Sequence, residues 1–277
     1  MSITTTPLGP TTGLEITGLR GRALVDRSVA ADCRAALDRH GVVVYRDAGI
    51  GDDDLVEFSA LLGDVVRLAM GGHERKEIQK ITRDASQSKL AAYREATFHW
   101  HIDGTTDNVP NKATLLTARQ VTEDGSGDTE FANTYAAYDA LPEREKAELA
   151  ELRVVHSFAA SQSLVDPDPS PKERAAWDRV PSREHPLVWT RRNGRKSLLI
   201  GATAGEVVGR SAEQGRALLD RLLDWATRPE FTVRHRWRPG DLVIWDNTGM
   251  LHRAQPYAET SRRLMHRTSL AGEEAVA

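Results

Sequence analysis

The segment Phe98-His99-Trp100-His101-Ile102-Asp103 alternates polar and apolar side chains. A β-strand repeats every two residues, so an extended chain here sets His99, His101 and Asp103 on one face. An imidazole beside a carboxylate is two thirds of a metal site. The remaining candidate, His252, lies far along the chain, after the apolar run Leu242-Val243-Ile244-Trp245, where a loop can return a ligand to the mouth of a barrel. Any fold that joins these groups must bring the middle of the chain against its end. Two imidazoles and one carboxylate leave three positions of an octahedral metal open. That suits non-haem Fe(II) binding a co-substrate and O2.

Composition narrows the partners. The chain has 277 residues, enough for one large domain or two small ones. Its 37 Lys and Arg against 40 Asp and Glu give a net charge of −3, without the basic excess that grips nucleic acid. No basic tract offers a hold on an anionic membrane. The single cysteine, Cys33, excludes an intramolecular disulfide and a thiolate cluster, and fits a reducing cytoplasm. The N-terminal residues lack a basic stretch followed by an apolar one, so no signal peptide is expected. No apolar stretch approaches the roughly 18 residues of a membrane helix. A cytoplasmic protein with no nucleic-acid or membrane partner is therefore expected.

The remaining sequence reads as mixed helix and strand. Asp26 to His40, closed by Gly41, predicts a helix, and Val42 to Tyr45 a buried strand. Asp52 to Leu62 predicts a second helix, its three leading aspartates suiting the positive end of the dipole. Strands are expected over Glu77–Thr82, Phe98–Asp103 and Ala113–Ala118, and two short helices over Tyr135–Leu141 and Glu143–Leu152. Residues 160–185, with four prolines and many charges, read as a lid or surface insertion. Val188–Thr190 and Ser197–Ile200 read as a hairpin whose basic tip, Arg191 to Lys196, is solvated. Ala212–Thr227 is a helix, and strands follow at Phe231–Trp237, Leu242–Trp245 and Arg263–Leu270. This pattern is α+β, and a double-stranded β-helix (jelly roll) with flanking helices is one such fold. If Arg263 and Arg267 share a strand, their offset of four puts both guanidiniums on one face, where each can pair with a carboxylate.

Four motifs in order then carry a resemblance. WHID (Trp100 to Asp103), GSGDTEFANTYAAYDALP (Gly125 to Pro142), RPGDLVIWDN (Arg238 to Asn247), and His252 followed by RRLMHRTSLAGE (Arg262 to Glu273) resemble the Fe(II)/2-oxoglutarate-dependent dioxygenases. The branch is the one named for taurine dioxygenase and 2,4-dichlorophenoxyacetate dioxygenase, and the resemblance runs from about Gly13 to Glu273. It implies one catalytic domain over 1–277 with a jelly-roll core. It implies Fe(II) held by His101, Asp103 and His252, with 2-oxoglutarate on Arg263 and Thr129. The substrate's acidic head would fall to Arg267, with Thr97 and His99 at the substrate pocket. O2 is the other co-substrate, and succinate and CO2 are the products. Dimers or tetramers are expected by the same resemblance.

Taurine dioxygenase holds its sulfonate with an asparagine and a histidine. Here those positions fall near Thr97 and within Leu68 to Gly72, with His73 just beyond, so taurine itself is not the expected substrate, while Arg267 favours an anionic one such as a carboxylate, sulfonate or sulfate ester. Two alternatives stand beside hydroxylation: desaturation or ring chemistry at the same site, or a barrel that only binds a ligand. Halogenation is disfavoured, because Asp103 fills the position a halide needs. His40, His73, His156, His185, His235 and His266 hold no motif position and are expected to be structural. Trp100 and Trp245 are expected to be core aromatics beside the site.

Overall fold

The structure is a computed structural model that describes residues 2–69 and 71–276. Strands β1 (Thr4–Pro7) and β2 (Leu14–Thr17) lead into helix α1 (Arg27–His40). The Asp26 carboxylate accepts the Ser28 N–H at 2.7 Å to start α1, and Gly41 ends it in the left-handed region at φ 70°. Then come β3 (Val42–Tyr45), α2 (Asp52–Leu62), β4 (Gln79–Ile81) and a 3-10 helix over Ala91–Phe98. The central part holds β5 (Ala113–Gln120), β6 (Thr129–Asn133), α3 (Thr134–Asp139), α4 (Glu143–Leu149) and β7 (Arg153–His156). Next are α5 (Phe158–Ser163), α6 (Pro171–Trp177), β8 (Arg183–Pro186), β9 (Val188–Thr190), β10 (Lys196–Leu198) and β11 (Ala204–Val207). Helix α7 (Ala212–Ala226), β12 (Thr232–His235), β13 (Leu242–Asp246), β14 (Met250–Ala254) and β15 (Leu264–Leu270) complete the chain.

Mixed helix and sheet is what this architecture delivers. A seven-stranded sheet runs β1-β2-β3-β13-β5-β15-β4, and a three-stranded sheet runs β12-β6-β14. Strand alternation sorts the side chains of the large sheet into two cores. Val43, Tyr45, Leu115, Leu242 and Ile244 pack with Cys33, Leu37, Leu55 and Phe58 of α1 and α2. Val42, Val44, Leu116, Val243 and Trp245 point the other way, onto Phe131 and Met250 of the small sheet. The outer face of the small sheet packs, through Ala132 and Leu251, on Leu219 and Leu222 of α7. No helix among the described residues is long and apolar enough to cross a membrane.

Several expectations change. Phe98–Asp103 is not a strand. Phe98 closes the 3-10 helix, His101 forms a lone bridge to His252, and Asp103 opens a turn through Gly104 at φ 83°. His252 sits on β14 itself and not in a loop after a strand. Arg263 stands just ahead of β15, and the register shift between Leu264 and Met265 breaks the simple even-offset argument. Strand β12 stops at His235, and α4 stops at Leu149. Within residues 160–185, read as a lid or surface insertion, the chain forms α6, which a Ser170–Glu173 capping box starts.

Histidines outside the motifs brace the fold. His73 Nε2 and His266 Nδ1 lie 3.2 and 2.7 Å from the Asp52 carboxylate at the start of α2, and Arg119 joins the same carboxylate at 2.5 Å. His156 is fully buried on β7, with Nδ1 2.9 Å from the Thr203 hydroxyl. Burial, then the neighbouring His185, pushes its pKa down to about 3. The folded value lies below the unfolded one of about 6.5, so the stability this neutral ring contributes is complete above that pH and drains as pH falls toward 3. One proton corresponds to a slope of up to about 1.4 kcal/mol per pH unit. Urea unfolding between pH 6 and pH 4 should therefore show a shallower loss of stability in His156→Gln than in the parent. Parallel slopes would show that other groups carry the acid sensitivity.

Candidate active site

The site begins as a backbone clasp. His101 N–H donates to His252 O at 3.0 Å, and His252 N–H returns to His101 O at 2.9 Å. This pairing sets the two imidazole centroids 4.1 Å apart. Asp103 follows two residues later, its Oδ2 3.8 Å from His252 Nε2. One donor atom each from His101, Asp103 and His252 lies within 4.8 Å of the others. His101 Nδ1 is 2.8 Å from His99 O, a group that only accepts, so Nδ1 carries the proton and the Nε2 lone pair is free.

Electrostatics suits a divalent cation. Burial keeps His101 neutral, and burial with His101's influence pushes His252 down to about 3. Burial alone would raise the Asp103 pKa, but Arg267 and then the two imidazoles hold it well below the usual carboxylate range. Two neutral imidazoles and an ionised carboxylate are the donor set that Fe(II) takes. A hydrogen-bonded chain holds the carboxylate: Trp245 Nε1–H donates to Asn247 Oδ1 (2.8 Å), Asn247 Nδ2–H to Thr114 Oγ1 (2.9 Å), and Thr114 Oγ1–H to Asp103 Oδ2 (3.0 Å). The Trp245 ring also packs on the His252 ring at 4.7 Å. It is thus both a core aromatic and a support for two donors.

Beyond the triad lie two cavities. A small one of about 50 Å³ is lined by His252, Thr129, Tyr257, Arg263 and Arg267. Arg263 is buried over the Tyr257 ring, 4.9 Å from its centroid. Among the described residues no carboxylate pairs with it, which is costly unless an anion arrives. Gly127, at φ 78°, makes room, since a Cβ there would meet Arg263 Nε at 3.0 Å. Thr129 Oγ1 accepts from Trp237 Nε1 at 2.9 Å, which leaves its own proton to donate.

The second cavity, about 460 Å³, opens past Asp103 and Arg267 to Tyr93, Phe158 and Gln162. Thr97, His101, Arg267 and Arg94 line both spaces. Arg267 also reaches Asp103 Oδ2 at 3.2 Å. Thr97 is at the site, with its hydroxyl donating to Arg94 O at 2.6 Å. The His99 side chain is not: it lines a separate cleft with Glu130 and Arg253, because the residue caps a 3-10 helix and does not share a strand face with His101. His73 is likewise committed elsewhere, to Asp52. Thr114, Asn247 and Arg94 escape sequence reasoning. The WDN motif marks Asn247 alone, and an arginine in a polar stretch reads as exposed.

Known proteins are similar to this chain over nearly its whole length. The taurine catabolism dioxygenase TauD, TfdA family matches residues 4–269. The chain belongs to this family. It is 33% identical to the alpha-ketoglutarate-dependent 2,4-dichlorophenoxyacetate dioxygenase of Cupriavidus pinatubonensis, over 100% of both chains. It is 34% identical to the alpha-ketoglutarate-dependent sulfate ester dioxygenase of Pseudomonas putida, over 98% of this chain and 90% of the relative. Among solved structures, AAD-2 in complex with Mn(II) and N-oxalylglycine superposes with a TM-score of 0.83 at 30% identity, covering 100% of each chain. This TauD/TfdA family member is accordingly an Fe(II)- and 2-oxoglutarate-dependent dioxygenase, with O2 as its other co-substrate.

Supports behind a metal ligand typically govern affinity by about 10–100-fold. Thr114→Val should weaken Mn(II) binding to that extent in an anaerobic calorimetric titration while leaving the fold intact. Unchanged affinity would show that Asp103 holds its position without the Thr114 hydroxyl.

Proposed function

We propose that the chain hydroxylates a small anionic organic substrate, converting 2-oxoglutarate and O2 to succinate and CO2 with one oxygen atom entering a substrate C–H bond. The contiguity of the two cavities at His101 carries this reading: one ends on the unpaired Arg263, the other opens beneath α5 and α6. His101, Asp103 and His252 would hold Fe(II), which when bound supplies the O2 chemistry that couples the two oxidations. Arg263 and Thr129 receive the distal carboxylate of 2-oxoglutarate, the guanidinium by paired charge-assisted hydrogen bonds and the hydroxyl by one more. Arg267 takes the anionic head of the substrate. Thr97 lines the substrate side. The aromatic wall of Trp245, Phe131 and Tyr257 keeps water from the reacting centre.

The substrate class follows from Arg267 and from the neighbours of the cleft. Carboxylates and sulfate esters, which relatives' names specify, fit one guanidinium beside apolar walls. Taurine fits poorly, since Thr97 and His73 do not supply the partners a sulfonate needs in taurine dioxygenase. The facing of β12-β6-β14 across Trp245 and Phe131 onto the large sheet supports a double-stranded β-helix core. The family match supports a single catalytic unit over 1–277. Phe158, Ala176 and Val180 on the cleft wall support a lid role for residues 160–185. The buried, unpaired thiol of Cys33 supports a reducing, cytoplasmic setting.

Arg263→Gln should raise the KM for 2-oxoglutarate at least about thirtyfold, because losing one partner of a buried charge pair costs about 2 kcal/mol or more. Succinate formation at varied 2-oxoglutarate measures this, and an unchanged KM would remove Arg263 from co-substrate binding. A panel of carboxylates and sulfate esters should contain compounds that stimulate succinate release. Uniform background release with all of them would count against the substrate class.

A further inference from the structure

Arg94 has no role in the reading above. It lies on the 3-10 helix and is 8% exposed. Among the described residues its buried Nε has no hydrogen-bond partner, and its sole side-chain hydrogen bond is a long one, Nη2 to Lys80 O at 3.4 Å. It lines both cavities, as Arg267 does. Burial, and next the charge of Arg267, lower its pKa to about 10, so the two guanidiniums bear on each other. Neighbouring Arg83 is already paired with Glu95.

The charges around the cavities do not close with a monoanionic substrate. Arg94, Arg263 and Arg267 face a single lining carboxylate, Asp103. Fe(II) and the two carboxylates of 2-oxoglutarate cancel each other. Two units of positive charge remain, in a space where unpaired charge is poorly solvated. We propose that the substrate carries a doubly charged head group, such as a phosphate monoester, clamped between Arg94 and Arg267. This rests on the proposed function and, among its small anionic substrates, favours a dianion over the monoanionic carboxylates and sulfate esters. Arg94, with its Nε–H unused, and Arg267, on β15, both line the strip shared by the cavities. Tyr93 and Phe158, edge to face at 5.4 Å, wall the cleft beyond and suit an apolar or aromatic tail.

Phenyl phosphate and phenyl sulfate share shape and differ by one charge at pH 7.5, the second phosphate pKa being about 6. Calorimetry on the protein loaded with Mn(II) and N-oxalylglycine, a non-reacting stand-in for 2-oxoglutarate, compares them. The parent should bind phenyl phosphate at least about tenfold more tightly than phenyl sulfate. Arg94→Gln should bring the two within about twofold, chiefly by weakening the phosphate. Arg94→Lys, which keeps the charge without the fork, should retain part of the preference. Retained N-oxalylglycine affinity in each variant reports an intact fold and co-substrate site. Equal binding of both probes by the parent, binding of neither, or a preference that survives Arg94→Gln would overturn the proposal. So would a loss of N-oxalylglycine affinity in Arg94→Gln that matches the loss of phosphate, because Arg94 would then serve the co-substrate. Failure of the parent to bind N-oxalylglycine at all would instead overturn the function on which the proposal rests.

Discussion

Two backbone hydrogen bonds between His101 and His252 hold the site together. They make cross-chain neighbours of two imidazoles that are far apart in sequence, and every other feature is arranged around that pairing. The register behind it is strict. His252 pairs with Phe131 on β6, and β6 in turn places Thr129 opposite His235 on β12. A slip of one residue in β14 would turn His252 to the outer face, where Leu251 now packs against the α7 core. The small sheet thus sets the candidate metal ligand His252 and the Thr129 hydroxyl in a single act of pairing.

Trp245 shows how packing and polarity are combined behind the ligands. Its ring belongs to the core between the sheets and presses on His252. Its N–H heads the chain through Asn247 and Thr114 to Asp103. Trp245 and Thr114 sit on the buried strands β13 and β5, and Asn247 links them from the turn that follows β13. Of the three candidate donors only Asp103 lies in a turn, and it has the most hydrogen-bonded bracing.

The sequence carried much of this, unevenly. Helices α1, α2 and α7 were legible because caps and apolar periodicity agree, from Asp26 to Gly41 in the first case. Strands β3 and β13 were legible because both faces are buried and the runs are continuously apolar. The grouping of His101 and Asp103 with His252 was anticipated through a strand that does not exist. Alternation in Phe98–Asp103 arises from an extended stretch along the edge of β14, and the same alternation misdirected His99. Strand β6 was missed because Glu130, held by Arg253 at 2.7 Å, interrupts a short run. Arg94 was invisible because its burial depends on the 3-10 helix folding over the cavity, a tertiary fact with no local signature.

Helices α5 and α6 are separate from the sheet that carries His252, yet Phe158, Gln162 and Ala176 form one side of the larger cavity. On the proposed function, the outer wall of the substrate cleft is therefore built separately from the strand that positions His252, while Arg94, Thr97 and Arg267 border both cavities. Exchanges along residues 158–180 can redraw the outline of an acceptable substrate while the register of β14 stays untouched. A scaffold divided in this way can be retuned to new compounds by a handful of side-chain changes, with no renegotiation of the chemistry beneath.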